Sequence, residues 1–245
     1  MSSYGVSLRS LGYRVNRLFH TAHASPAAFY TSCTPCTRGL GGRCDGPAWC
    51  GAVYAGLRFG SIAGVTSHFF AYLARMKFIQ RWGLMRNTRP ENTQEQSLQV
   101  AMIAHALAVI GNRKFGKDLD PNRTALLAVY HDAEEVITGD VPTPIKYFNP
   151  TIKEALFDIE TVARTRLLAM LPEELQGDYN DLFFHEERDA AAWRVVKQAD
   201  KVSAYLKCIE ESKAGNEEFQ KAEQSILKEL ERDPDPALVY FFETF

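Results

Sequence analysis

His131 and Asp132 stand side by side in a stretch that reads as a helix, and a second helical stretch, Val195-Val196-Lys197-Gln198-Ala199-Asp200-Lys201-Val202, carries Asp200 among apolar residues. Neighbouring residues on a helix point roughly 100° apart. An adjacent His and Asp can therefore serve one cation only if it lies over the edge between them while other helices complete its shell, which requires a helical bundle with the site in its core. A carboxylate facing such a core is costly unless it is paired or binds a metal, so Asp200 is the natural distant ligand. A surface His-Asp dipeptide and an exposed Asp fit the same spacing, and both readings stay open at this point.

The rest of the chain reads as an all-α body behind a different leader. Residues 1–66 hold six Arg, no Lys and one acid, Asp45, whereas the remainder is acidic and brings the net charge to -2. Cys33, Cys36, Cys44 and Cys50 also fall in the leader, leaving Cys208 alone in the body. Cys33-Thr34-Pro35-Cys36 with His20 and His23 nearby allows a zinc cluster, and the acid-poor start allows a transit peptide. The reading adopted is a poorly ordered extension that the folded unit, residues 67–245, does not need. One reduced cysteine fits an intracellular body, and no run of about eighteen apolar residues offers a membrane span.

Helical periodicity begins near Ser67, a cap for Phe69, Phe70, Leu73, Met76 and Ile79, and stops around Gly83. Thr93 to Gln96 has the form of a capping box, T-x-x-Q, opening a helix whose apolar stripe runs through Leu98, Met102, His105 and Ile110 to Gly111. This places His105 in the core. Asp120-Pro121 starts a helix that bears His131, Asp132 and Glu135 and ends at Gly139. Further helices are expected over roughly 151–171, 187–214 and 216–232, followed by a short apolar tail from Ala237 to Phe245.

From about residue 68 the chain resembles the bacterial 5′-deoxynucleotidases of the HD-domain metal-dependent phosphohydrolase superfamily. The stretches that carry the resemblance are Phe78-Ile79-Gln80-Arg81-Trp82, Glu95-Gln96-Ser97-Leu98-Gln99-Val100-Ala101, Tyr130-His131-Asp132-Ala133-Glu134-Glu135-Val136, Thr138-Gly139-Asp140-Val141-Pro142-Thr143-Pro144 and Lys197-Gln198-Ala199-Asp200. The resemblance implies an HD-domain helical bundle, cytoplasmic and homodimeric, that releases phosphate from deoxyribonucleoside 5′-monophosphates with a divalent transition metal, manganese or cobalt. Neither a nucleic acid polymer nor a membrane is implied as a partner.

The resemblance also implies roles. His131, Asp132 and Asp200 would hold the metal, with Asp132 and Asp200 also touching substrate. Glu135 would be the acid-base group, preferred over Glu134 because its i, i+4 relation to His131 aims it at the site while Glu134 reads as a solvated acid. Arg81 would orient the phosphate, Trp82 would pack at the sugar, and Asp140, Val141, Pro142 and Thr143 would form the substrate loop. One position departs: Gln96 stands where the family places its first metal-binding His. Its amide oxygen is a weaker donor than imidazole for a first-row metal, and the capping-box reading needs no metal at all. The sequence therefore predicts weakened metal binding, with a catalytically impaired nucleotide- or partner-binding homologue as the alternative to an active phosphatase.

Overall fold

The computed structural model describes residues 67–184, 187–232 and 235–245. Residues 1–66, with the cysteine cluster and the expectation of a dispensable extension, lie outside the described residues. The regular elements are α1 (Phe69–Leu73), a 3₁₀ turn (Ala74–Phe78), α2 (Thr93–Phe115), α3 (Pro121–Tyr130), α4 (Glu135–Thr138), α5 (Thr143–Lys146), α6 (Pro150–Leu168), α7 (Glu173–Phe183), α8 (Ala190–Lys213), α9 (Gln220–Arg232) and α10 (Pro236–Thr244), with short 3₁₀ turns before α8 and α9. This is an all-α architecture; among the described residues a single antiparallel bridge, Gln80 to Asn92, is the one strand-like contact.

Local chemistry sets several boundaries, and at Asp120-Pro121 it does so as the sequence predicts. The Asp120 side chain accepts from the backbone of Asn122 and Arg123 at 2.8 and 3.0 Å, and Pro121 fills the first helical position, where an N–H has no helical partner. Asn149 and Pro150 repeat the device on α6. Helix α2 does not stop at Gly111, which is buried within it, but runs to Gly116, which closes it with φ 66°, a left-handed conformation that side chains with a Cβ resist.

Other boundaries differ. The first helix does not reach Gly83: α1 ends at Leu73, tightens into 3₁₀ geometry and turns extended at Ile79. Ser67 accepts from Phe69 N at 3.3 Å and donates to Met170 O at 2.6 Å, so it ties the approach to α1 to the end of α6 more than it caps a long helix. The α2 stripe has a different phase. Val100, Ala104, Leu107 and Ala108 are buried, whereas Leu98, Met102 and His105 are exposed. Apolar residues lie on both sides of α2, and the small alanines, which let helices approach closely, mark the core better than the large side chains do. Helix α7 has no counterpart among the expected helices, and the apolar tail is itself the helix α10, capped by Asp235.

Helix α2 is the central element, packed against α3, α8 and α10, with α9 lying on α8. Leu127 of α3, Val196, Ala199 and Val202 of α8 and Leu238 of α10 share one cluster with Val100, Ala104 and Leu107. Truncating Leu127 to Ala in so closed a core would cost about 2–5 kcal/mol. This packing brings the first turn of α2, the end of α3 and the middle of α8 to one place.

Candidate metal centre

The chain leaves helical geometry where the site begins. After Tyr130, residues 131–134 form tight turns with i to i−3 bonds, Ala133 N to Tyr130 O at 3.1 Å and Glu135 N to Asp132 O at 3.2 Å, before α4 resumes. His131 and Asp132 are thus not inside a continuous helix, as the sequence suggested. The tightening explains how adjacent side chains converge, because three residues per turn aims them differently from 3.6.

His131 is buried, and its Nδ1 lies 2.8 Å from Ala128 O. A carbonyl only accepts, so Nδ1 carries the proton and the Nε2 lone pair faces the site. Nε2 lies 3.1 Å from Asp132 Oδ2 and 3.8 Å from Asp200 Oδ1, yet makes no well-formed hydrogen bond. A lone pair facing two carboxylates is unfavourable unless a cation lies between them. Donor atoms of His131, Asp132 and Asp200 all fall within 4.8 Å of one another, and one imidazole with two carboxylates suits a divalent first-row metal. The residues fit such an ion. Without it, a proton takes the same place: burial alone would lower the imidazole pKa, but Asp132 and Asp200 push it up to about 10. Burial likewise opposes both carboxylates, but His131 and Lys197 hold them below their ordinary range.

Gln96 is at the site. The N-cap of α2 is Asn92, which accepts from Glu95 N at 3.0 Å, so the cap sits one residue earlier than the expected Thr93. Freed from that role, Gln96 is fully buried and donates from Nε2 to Asp200 Oδ1 at 2.7 Å, while its Oε1 is buried without a hydrogen bond. Thr93 is also released from capping, and its hydroxyl donates to Glu135 Oε2 at 2.8 Å.

Around this centre lies a second ring of charge. Burial, then Asp132 and Asp140, push Glu135 up to about 8 despite Arg81 and the Thr93 hydroxyl. Arg81 sits 3.6 Å from Asp132 Oδ2 and 3.5 Å from Glu91 Oε2, contacts longer than hydrogen bonds. Burial disfavours its charge, but Asp132, Asp200, Glu135 and Asp140 together raise its pKa. Burial, with Asp132, raises Asp140, against the opposing charge of Arg81. Trp82 has φ 59°, which costs a non-glycine residue roughly 1 kcal/mol or more and persists only where the surroundings enforce it. Those surroundings are Glu91, which accepts from the indole N–H at 3.2 Å, and Phe219, whose ring centre lies 5.2 Å away. Val141 and Pro142 are half-buried, and Thr143 opens α5 at the surface.

Glu134 is not solvated. It is buried and pairs with Arg164 of α6, which also lies 3.5 Å from Glu160, itself bonded to Lys146 of α5. The break after Tyr130 turns Glu134 inward, which helical phase could not foretell. Three other contributors went unread: Thr93, Glu91 and Lys197. Only Lys197 had a signal in the sequence, three residues before Asp200 on the same helix face.

A bundle that converges a His-Asp pair and a distant Asp is the arrangement of HD-domain phosphohydrolases. In agreement, the fold matches an HD-domain phosphohydrolase from Listeria innocua with TM-score 0.64 at 21% identity, covering 72% of this chain and 84% of that one. It also matches a cyanophage S-2L HD phosphohydrolase, solved with dA and one catalytic Zn²⁺ ion, with TM-score 0.50 at 19% identity over 71% of this chain and 93% of that one. In sequence, the chain is 52% identical to a 5′-deoxynucleotidase of Shewanella oneidensis and 54% identical to one of Vibrio cholerae, in each case over 73% of this chain and 92% of the relative. The chain belongs to the 5′-deoxynucleotidase YfbR-like family, which it matches over residues 68–245.

Proposed function

We propose that the chain is a metal-dependent phosphomonoester hydrolase that releases phosphate from deoxyribonucleoside 5′-monophosphates, with His131, Asp132 and Asp200 as its metal ligands. The observation that carries the assignment is the buried His131 Nε2, its lone pair directed at two carboxylates and without a hydrogen bond. A divalent cation held there would polarise a phosphate oxygen and ease the ionisation of water. Glu135, one turn after His131 and held by the Thr93 hydroxyl, takes the proton of the attacking water. Arg81 directs its guanidinium at the phosphate oxygens and offsets the charge that builds on them. The water oxygen bonds to phosphorus, the bond from phosphorus to the 5′-oxygen breaks, and that oxygen leaves as the nucleoside hydroxyl with the proton that Glu135 took from the water. Asp140 accepts from a sugar hydroxyl, Trp82 packs at the sugar where an additional 2′-hydroxyl would lack a partner, and Val141, Pro142 and Thr143 shape the loop beside them.

Manganese or cobalt is the proposed metal, with zinc, the ion of the cyanophage neighbour, as the third to test. The working unit is taken to be a cytoplasmic homodimer. Among the described residues no helix is long and apolar enough to cross a membrane. The Gln96 bond to Asp200 favours one alternative, a homologue with impaired catalysis that still binds nucleotides, because the amide occupies a lone pair of a metal ligand. Phosphate release from a panel of 5′-monophosphates, alongside elemental analysis of the purified protein, separates the two readings. Bound metal with turnover supports the enzyme, and nucleotide binding without metal or turnover supports the alternative.

A further inference from the structure

Near the end of α8, about three turns beyond Asp200, Glu211 is 1% exposed. Its carboxylate accepts from Thr88 N at 2.9 Å, Thr88 Oγ1 at 2.7 Å, Arg89 N at 3.3 Å and Asn216 Nδ2 at 2.8 Å. Lys207, also buried, pairs with Glu211 and donates to Arg89 O at 2.6 Å. The same segment is gripped again two residues earlier, where Asn216 Nδ2 donates to Arg86 O at 2.7 Å and Arg86 N donates to Glu218 Oε1 at 3.3 Å. A buried carboxylate that takes donors from Thr88 and Arg89, more than a hundred positions away, and from Asn216 and Lys207 on its own side fixes one arrangement of an otherwise irregular loop.

That loop ends on the site. Two residues beyond Arg89, the carbonyl of Glu91 accepts from Arg81 N at 2.9 Å, and its carboxylate holds the Trp82 indole. On the other side, Phe219, three residues after Asn216, supports the same indole. We propose that Glu211 is a positioning residue for substrate: it locks the loop of residues 83–91 onto α8 and so fixes Arg81 and the left-handed Trp82 for the phosphate and sugar. The proposal rests on the substrate roles given above to Arg81 and Trp82. It adds a residue that touches neither substrate nor metal, and it places the effect in substrate binding.

The test compares Glu211→Gln, the charge-neutral pair Glu211→Gln with Lys207→Met, and the milder Asn216→Ala with the parent. All carry Trp49→Phe and Trp193→Phe so that Trp82 is the sole indole. The readouts are kcat and KM for dAMP, Mn²⁺ affinity by titration calorimetry, and Trp82 emission. The expected result is a KM raised on the order of tenfold, Mn²⁺ affinity within about twofold of the parent, and red-shifted Trp82 emission, with Asn216→Ala moving the same readouts less. Unchanged KM and emission in Asn216→Ala and in whichever Glu211 variant folds would overturn the proposal, as would a KM effect wholly explained by lost Mn²⁺ affinity. Should the parent release no phosphate from dAMP, the substrate assignment falls by itself. Trp82 emission in the variants then decides the latch alone, a shift supporting it and no shift refuting it.

Discussion

Gln96 donates its amide N–H to Asp200 across 2.7 Å, tying the first turn of α2 to the middle of α8 at the metal centre. The contact holds Asp200 facing His131 but competes for a carboxylate oxygen that a cation would use. Gln96→His should replace that competition with an imidazole donor. Metal affinity and dAMP hydrolysis should both rise about tenfold or more, by analogy with the 10–100-fold effects of residues outside the ligand shell. Both are compared across a range of added manganese, because excess metal masks a weak site by mass action. Equal affinity and turnover in the two proteins would mean that Gln96 already serves the site adequately.

The roles of the carboxylates separate by substitution. Glu135→Gln should lower kcat about 10²-fold or more, the contribution of a positioned acid-base group, while Mn²⁺ still binds. Asp132→Ala and Asp200→Ala should instead lose the metal, seen directly by calorimetry. Retention of most activity by Glu135→Gln would remove it from the mechanism.

In protein stripped of metal, stability should depend on pH through the same groups. His131 has its pKa raised from 6.5 to about 10. The folded state therefore holds a proton that the unfolded state releases, and the stabilisation is fully present below pH 6.5 and lost as pH rises through about 10. Glu135, raised from 4.5 to about 8, adds a term of the same sign, complete below 4.5 and lost as pH rises through about 8. The Tm of stripped protein should fall between about pH 6 and pH 10, and His131→Gln should flatten the upper part of that fall. A Tm that climbs across this range would contradict the assignment.

The ion pair of Glu134 with Arg164 secures the turn that carries His131 and Asp132. Arg164→Met leaves Glu134 as a buried, uncompensated acid, and the expected loss is about 3 kcal/mol in denaturant unfolding. The paired substitution Glu134→Gln with Arg164→Met should recover much of it. A single variant as stable as the parent would show the pair to be solvated.

Much of the frame is legible in the sequence because local chemistry decides it: Asp120-Pro121 and Asn149-Pro150 start helices, Gly139 ends one, and the converging His131, Asp132 and Asp200 require a bundle. What stays hidden depends on tertiary packing. Apolar residues on two sides of α2 leave its phase ambiguous, so the pattern puts His105 inward although it is exposed. The turn at residues 131–134 carries no Gly or Pro to announce it, so periodicity aims Glu134 and Glu135 by a helix that is not continuous there. Gln96 matches a capping pattern one residue out of register, because Asn92 is as good a cap as Thr93 and only the fold chooses between them.

The most direct test of a metal-dependent phosphatase centred on His131, Asp132 and Asp200 is phosphate release from dAMP by metal-stripped protein as Mn²⁺ is titrated back. No release is expected at the start, followed by a rise that saturates with one ion bound per chain and is absent in Asp200→Ala. Release that is independent of added metal, or that survives undiminished in Asp200→Ala, would contradict it.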